Sequence, residues 1–306
     1  MNPIYSYRKL MSMLLAAACV AAAGTARAQL LPSGTGYFQN RYVLNPAFAG
    51  FTRQLTVNAA YRREQANIDQ GPTSQYVTAD YGLTNSVGVG VNAYNEKAGV
   101  LKNTNVMATY AYHISFSESR KLHLGLSAGV RNERIDYGAV NGEQDDATLT
   151  SFNSRGVQFD ADFGAAYTDG GLTIQAAAPG LVTNFKSSTS SWVNKPVFFA
   201  AASYKVKISE DGEGIWLQPM AMFRQVKGYD NLVDAGAQCS FLEERMYVFG
   251  MYQSSKSFMA GAGAGIIKDV ITINAVYNTR VNALKGYSGG NFEIGFTLKP
   301  GHLAKH

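Results

Sequence analysis

The chain has 306 residues, enough for one large domain or two smaller ones, and its composition narrows the choice. With 31 Gly, 18 Tyr and 16 Phe against 8 Pro, 16% charged residues and a mean hydropathy of −0.12, it excludes a disordered chain and favours many half-buried strands. The net charge of +5 is no sign of a nucleic-acid partner, because Arg8, Lys9 and Arg27 lie in a leader-like stretch and leave 24 basic against 22 acidic residues beyond it.

That stretch has a short basic region, an apolar run over residues 10–23 and a small-x-small site at Ala26-Arg27-Ala28. A secretory signal peptide over residues 1–28 and a mature start at Gln29 are therefore expected. The run is shorter than the ~20 apolar residues a spanning helix needs. Cys19 would leave with the leader, with a lipoprotein acylated at Cys19 as the alternative; Ala16 stands where such a site usually has a bulky residue. Cys239 is then the single remaining thiol, so the exported chain is expected to have no internal disulfide and to be held by its core or its sheet. After Gln29 no run reaches the ~18 consecutive apolar residues expected of a spanning helix.

Residues 29–53 precede the first expected strand and contain Tyr37-Phe38-Gln39-Asn40 and Asn45-Pro46-Ala47-Phe48-Ala49-Gly50. Asn before Pro is held extended, and Gly50 can take a positive φ as the chain turns into Phe51. Two readings stay open: a turn that caps one rim of the fold, or a segment that plugs the fold or docks a partner.

From residue 54 the chain alternates. Val106, Ala108, Tyr110, Tyr112, Ile114 and Phe116 alternate with Thr109, Ala111, His113 and Ser115; Leu122, Leu124, Leu126 and Val130 alternate with His123, Gly125, Ser127 and Arg131; Phe159 and Phe163 flank Asp160 and Asp162. Successive strand side chains point to opposite faces, so each segment has one apolar and one polar or small face. Several runs reach about 10 to 14 residues, beyond the ~5–6 of a soluble strand and close to a tilted membrane strand. About fourteen segments start near residues 54, 74, 86, 103, 121, 155, 171, 196, 214, 231, 246, 257, 269 and 291, joined by connectors that largely alternate short and long. Pro219 interrupts an ambiguous run over 209–230. The expected fold is all-β, a closed transmembrane antiparallel β-barrel of about 14 strands over residues 54–299, with a C-terminal tail at 300–306. Closure is required because each unpaired backbone group facing lipid costs several kcal/mol.

Chemistry-bearing clusters are sparse. His113 and His123 fall on the polar faces of neighbouring segments and read as luminal filler, because two further zinc ligands are not evident. Asp160 and Asp162 share a strand face, where pairing with luminal Arg131 is favoured over acid–base work. Glu143, Asp145 and Asp146 lie in the longest connector without the spacing of a calcium loop. The Gly-rich run over 260–265 precedes a strand, not a helix, so it does not read as a dinucleotide loop. Its small residues suggest instead barrel curvature or the close approach of another element in the lumen, either residues 37–51 or the connector 135–154. No catalytic, metal or cofactor site is expected.

The stretch Asn45-Pro46-Ala47-Phe48-Ala49-Gly50 resembles the opening element of the PorP/SprF family of Bacteroidetes outer-membrane proteins, associated with type IX secretion and gliding. Tyr61-Arg62, Gly71-Pro72, Ala79-Asp80-Tyr81, the Tyr-Ala-Tyr core of residues 108–114, residues 122–129 and the closing Tyr287-Ser288-Gly289-Gly290-Asn291-Phe292-Glu293-Ile294 are similar in the same order. Two departures are the Gln65-Ala66 that replaces an aromatic after Tyr61-Arg62 and the tail beyond residue 299. The resemblance implies a non-enzymatic outer-membrane component that anchors or receives secreted surface proteins such as adhesins. Its implied partners are outer-membrane lipid, the C-terminal domain of a secreted surface protein or adhesin, and periplasmic type IX secretion components, with no nucleic acid. A general or solute-selective porin is the alternative. Partner contacts are expected at Tyr137, Phe152, Phe185 and Trp192 on the long connectors, where aromatics among polar residues can anchor an interface, and at Asn45, Pro46, Phe48 and Gly50.

Overall fold

The structure, a computed structural model, describes residues 36–64, 71–136, 147–185, 196–209, 214–227, 231–266, 270–279 and 290–300; the expected leader, Tyr137 and Trp192 lie outside them. The strands are β1 (Thr56–Arg63), β2 (Thr73–Gly82), β3 (Val87–Ala98), β4 (Leu101–Ser115), β5 (Arg120–Ile135), β6 (Val157–Asp169), β7 (Leu172–Ala178), β8 (Pro196–Tyr204), β9 (Val206–Ser209), β10 (Ile215–Val226), β11 (Leu232–Phe241), β12 (Met246–Gln253), β13 (Ser257–Ile266), β14 (Ile271–Asn278) and β15 (Asn291–Leu298). Each pairs antiparallel with its neighbours, and β15 pairs with β1, so the sheet closes on itself. β8 and β9 both pair with β10 and are one strand broken at Lys205, which makes a barrel of fourteen strands.

The break has a local cause. The β8 register on β10 would set Tyr204 and Lys205 opposite Pro219 and Gln218, and Pro219 has no N–H to give the ladder. On its other side β10 pairs without interruption, Pro219 facing Ala237 of β11. On its other side Lys205 continues the β7–β8 register, its N donating to Gly171 O at 2.9 Å.

Alternation sorts the faces as the sequence indicates. On β4 and β5, Val106, Tyr110, Leu126 and Val130 are exposed on the outside, while Met107, Thr109, His113, His123 and Ser127 are buried inside. With lipid outside and packed side chains inside, both faces of the pleat are satisfied.

The connectors 83–86, 116–119, 170–171 and 242–245 lie on the rim where β1 starts and β15 ends. The opposite rim carries the connectors after β5 and β7, with helices α1 (Ala147–Asn153) and α2 (Leu181–Phe185). Short turns belong to the periplasmic rim of such barrels and long loops to the external one.

Inside the barrel lies the chain that precedes β1. It makes two 3-10 turns, Arg41–Val43 and Pro46–Phe48, each capped by an asparagine: Asn40 Oδ1 accepts from Val43 N at 3.3 Å and Asn45 Oδ1 from Ala47 N at 3.0 Å. Pro46 at the first position of the second turn removes a donor that would otherwise go unpaired. Tyr37, Phe38, Tyr42 and Phe48 are 0–6% exposed, and burying each contributes roughly 1.5–3 kcal/mol.

Candidate functional site

The seat for this segment is a row of residues without side chains beyond Cβ. Gly82, Gly88, Ala111, Gly125, Gly164 and Ala177 are register partners, one from each of β2 to β7. At ~4.8 Å per strand the row forms a trough of roughly 24 Å along the inner wall. Residues 45–53 follow it. A Cβ on Gly125 would lie 2.2 Å from Pro46 C and 2.3 Å from Ala47 N; one on Gly88 would lie 2.0 Å from Ala49 O, and one on Gly82 2.8 Å from Gly50 O. Gly50 adopts φ 69°, and its own Cβ position is 2.6 Å from Gly88 Cα, so glycine is needed there for both conformation and space.

Polar anchors fix the segment's position. Asn45 Nδ2 points at three acceptors, Ala165 O (3.2 Å), Gln175 Oε1 (3.2 Å) and Ala176 O (3.3 Å). Gly50 N donates to Asp80 Oδ2 at 2.9 Å, and Ala49 O lies 3.2 Å from His113 Nε2. Midway, Tyr42 Oη donates to Thr109 Oγ1 at 2.7 Å, and Asn40 Nδ2 to Thr78 Oγ1 at 3.0 Å. Tyr37 reaches the end of the lumen nearest the long connectors, donating to Asp234 Oδ2 at 2.6 Å and accepting from Gln253 Nε2 at 3.2 Å. Asp234 is also held by Arg224, whose Nη2 and Nε lie 2.6 and 2.9 Å away. Burial pushes the Tyr37 phenol well above its ordinary range, opposed by the Arg224 charge and aided by Asp234, so Tyr37 stays a donor. Burial acts the other way on Arg41, opposed by Glu244, with the Phe48 and Phe51 ring centres 5.4 and 5.9 Å from its guanidinium.

Of the residues expected to meet a partner, Asn45, Pro46, Phe48 and Gly50 all belong to the segment in this seat, inside the barrel. The other set lies near the long connectors. Phe152 is 6% exposed beneath the Arg155 guanidinium (4.7 Å), and its helix α1 is tied to β5 by Asn153, whose Oδ1 accepts from Ile135 N and whose Nδ2 donates to Ile135 O. Phe185 ends α2, its side chain outside the described set, as are Tyr137 and Trp192. Asp160 pairs with Arg131 at 3.2 Å and accepts from Thr183 Oγ1 at 2.7 Å, while Asp162 accepts from Gly180 N at 2.7 Å. The paired carboxylates thus bind the start of the β7–β8 connector to the lumen wall. His113 and His123 face each other across β4 and β5 with Nδ1 atoms 2.8 Å apart.

Sequence reasoning missed Asp80, Tyr42 with Thr109, and the small-residue row. The inward glycines of each strand were visible in the alternation, but their alignment into one row is a matter of register between strands. The Gly-rich run over 260–265 was the wrong pointer. Gly261 and Gly263 lie opposite Phe249 and Tyr247 of β12, whose rings fill their space, since added Cβ atoms would fall 2.3 and 2.2 Å from ring carbons.

A family model for the type IX secretion system membrane proteins PorP/SprF matches residues 26–298. The chain belongs to the PorP/SprF family. Together with the closed barrel and its apolar exterior, this makes it a type IX secretion membrane component of the outer membrane. No curated protein sequence matches significantly. Solved structures similar to it include the outer membrane protein Omp33 of Acinetobacter baumannii (8% identity, 81% of this chain and 98% of that one, TM-score 0.49) and the KdgM porin (6% identity, 80% and 98%, TM-score 0.37). The functional reading rests on the PorP/SprF membership and on the luminal geometry, not on these likenesses.

Proposed function

We propose that this PorP/SprF protein is a non-enzymatic anchor or receiver for secreted surface proteins, adhesins among them, and not a conducting pore. The observation that carries this reading is the seated segment: residues 37–50 run through the lumen from one end to the other and are bonded to the wall at both. A porin needs an open, hydrated path, whereas a rigid closed barrel suits a platform that holds partners by its rims. The external connectors offer one contact surface, with Tyr137, Phe152, Phe185 and Trp192 as the residues to probe, and the rim at residues 51–54 offers a second surface to periplasmic secretion components.

The test has two arms. Purified protein in planar bilayers is expected to show no steady single-channel current, and affinity capture from native membranes is expected to bring down a secreted protein through its C-terminal domain. Trimming both long connectors should leave a heat-modifiable barrel in the membrane but abolish surface display of that client. Large steady currents without a captured client would replace this reading with the porin.

A further inference from the structure

The histidine pair touches the luminal segment where it is tightly confined. Ala49 O is wedged between Gly88 and the His113 ring, and His123 lies against Phe48 and Phe51, with ring centres 6.4 and 5.2 Å away. Three contacts run in series: Ala49 O to His113 Nε2 (3.2 Å), His113 Nδ1 to His123 Nδ1 (2.8 Å) and His123 Nε2 to Thr168 Oγ1 (3.1 Å). A carbonyl oxygen only accepts, so His113 Nε2 must carry a hydrogen. A neutral His113 then accepts at Nδ1, His123 donates from Nδ1, and the Thr168 hydroxyl donates to His123 Nε2. With both rings neutral every contact in the chain is satisfied.

The same chain limits how many protons it can take. One added proton is accommodated at His123 Nε2, where it turns toward Thr168 Oγ1. A second has only His113 Nδ1 left, and two N–H groups would then face each other across 2.8 Å. The charged side chains that act on the pair are Lys121, on the same strand as His123, and Arg41 of the luminal segment, both cationic. Asp80, the carboxylate that the segment itself contacts, accepts from Gly50 N. Among the described residues no carboxylate acts on the two rings to compensate a doubly charged pair.

We propose that His113 and His123 form a proton-sensitive latch that holds residues 48–50 in the trough while the pair carries at most one extra proton and releases them when it carries two. Double protonation turns His113 away from Ala49 O and sets two charges against Arg41 and Lys121. The segment leaves the Gly82–Gly88 end of the trough, while Tyr37 remains bound to Asp234 at the far end.

Amide hydrogen exchange on the purified full-length chain in lipid nanodiscs, corrected for the intrinsic pH dependence, tests this. Protection of residues 47–51 is expected to match that of the strands at pH 8 and to fall by about tenfold to a hundredfold per pH unit once the pair titrates, one or two protons being taken up on release. Strands β11 and β12 should keep their protection over the same range. His123→Gln and the double variant His113→Gln, His123→Gln should keep residues 47–51 protected in acid, because neither can place two charges in the seat; the single variant serves if the double one does not fold. The latch is overturned if the wild type keeps its protection at pH 4, if the variants lose it in parallel, or if the strands open together with the segment.

Discussion

Both halves of the barrel wall present inward glycines, and those glycines do different things. Across β2 to β7 the inner row is Gly, Gly, Ala, Gly, Gly, Ala, and it receives a foreign stretch of backbone. Across β10 to β13 the inner face carries Met220, Met222, Tyr247, Phe249, Met251 and Met259, and Gly261 and Gly263 of β13 are covered by rings of the adjacent strand. There the luminal segment meets bulk with bulk: Phe38 packs on Phe249 at 5.5 Å between centroids. An inward glycine is therefore not by itself a vacancy. What matters is its cross-strand neighbour: another small residue opens a trough, and an aromatic closes it.

Crossed substitutions break this comparison most sharply. Gly125→Val with Gly164→Val puts branched side chains against the Pro46–Ala47 backbone and the Asn45 side chain, at a combined cost of roughly 2–6 kcal/mol. The barrel should still form and show heat-modifiable migration, while residues 45–50 lose exchange protection. Gly261→Val should do the reverse, lowering the barrel's melting temperature by evicting Phe249 and leaving residues 45–50 protected. If both variants expose the segment equally, the two walls are not functionally distinct.

A second pair separates the outer face from the inner. Leu124→Lys places a charge on the lipid side and should cost about 2–4 kcal/mol if it lies near the bilayer midplane, read as reduced folding yield in lipid titrated with urea. Asn45→Ala, confined to the lumen, removes both the cap on Ala47 N and the bonds to β6 and β7, at about 1–3 kcal/mol. It should leave the urea midpoint of the strands nearly unchanged and raise exchange only over residues 45–49.

Much of the fold was legible because alternation of period two survives in nearly every strand. The observed strand starts fall within two residues of those read from the sequence, and the outward set Val106, Tyr110, Leu126, Phe159 and Phe163 is exposed while His123 and Asp160 are buried. Pro219 flagged the ambiguous region, and its missing N–H is where β8 and β9 part. The site was legible only in part. Asn45-Pro46 announced a capped turn, but whether that turn caps a rim or fills the lumen depends on a row assembled from six strands, and no single strand contains that information. Phe152 carries a condition that the sequence does not show: an aromatic in a long connector reads as a contact residue, and here its ring lies buried beneath Arg155, which a partner would have to displace.

The smallest expected effect sharpens the comparison at the far end of the segment. Tyr37→Phe removes one hydroxyl from a buried network and keeps the ring among Met222, Met251 and Phe249. Asp234 loses a donor but retains Arg224 at 2.6 Å, so the carboxylate is not left uncompensated, and the expected cost is about 0.5–1.5 kcal/mol. Gln253 Nε2 loses its acceptor, while its Oε1 still receives Asn278 Nδ2 at 3.1 Å. Exchange should rise over residues 37–39 alone, with residues 45–50 unaffected, if the trough holds its stretch independently of the aromatic wall. Asp234→Asn at the same point should be larger, because it leaves Arg224 buried without its counter-charge. A Tyr37→Phe variant that frees the whole segment down to Gly50 would mean that the Met- and aromatic-lined wall, not the small-residue row, is the principal anchor.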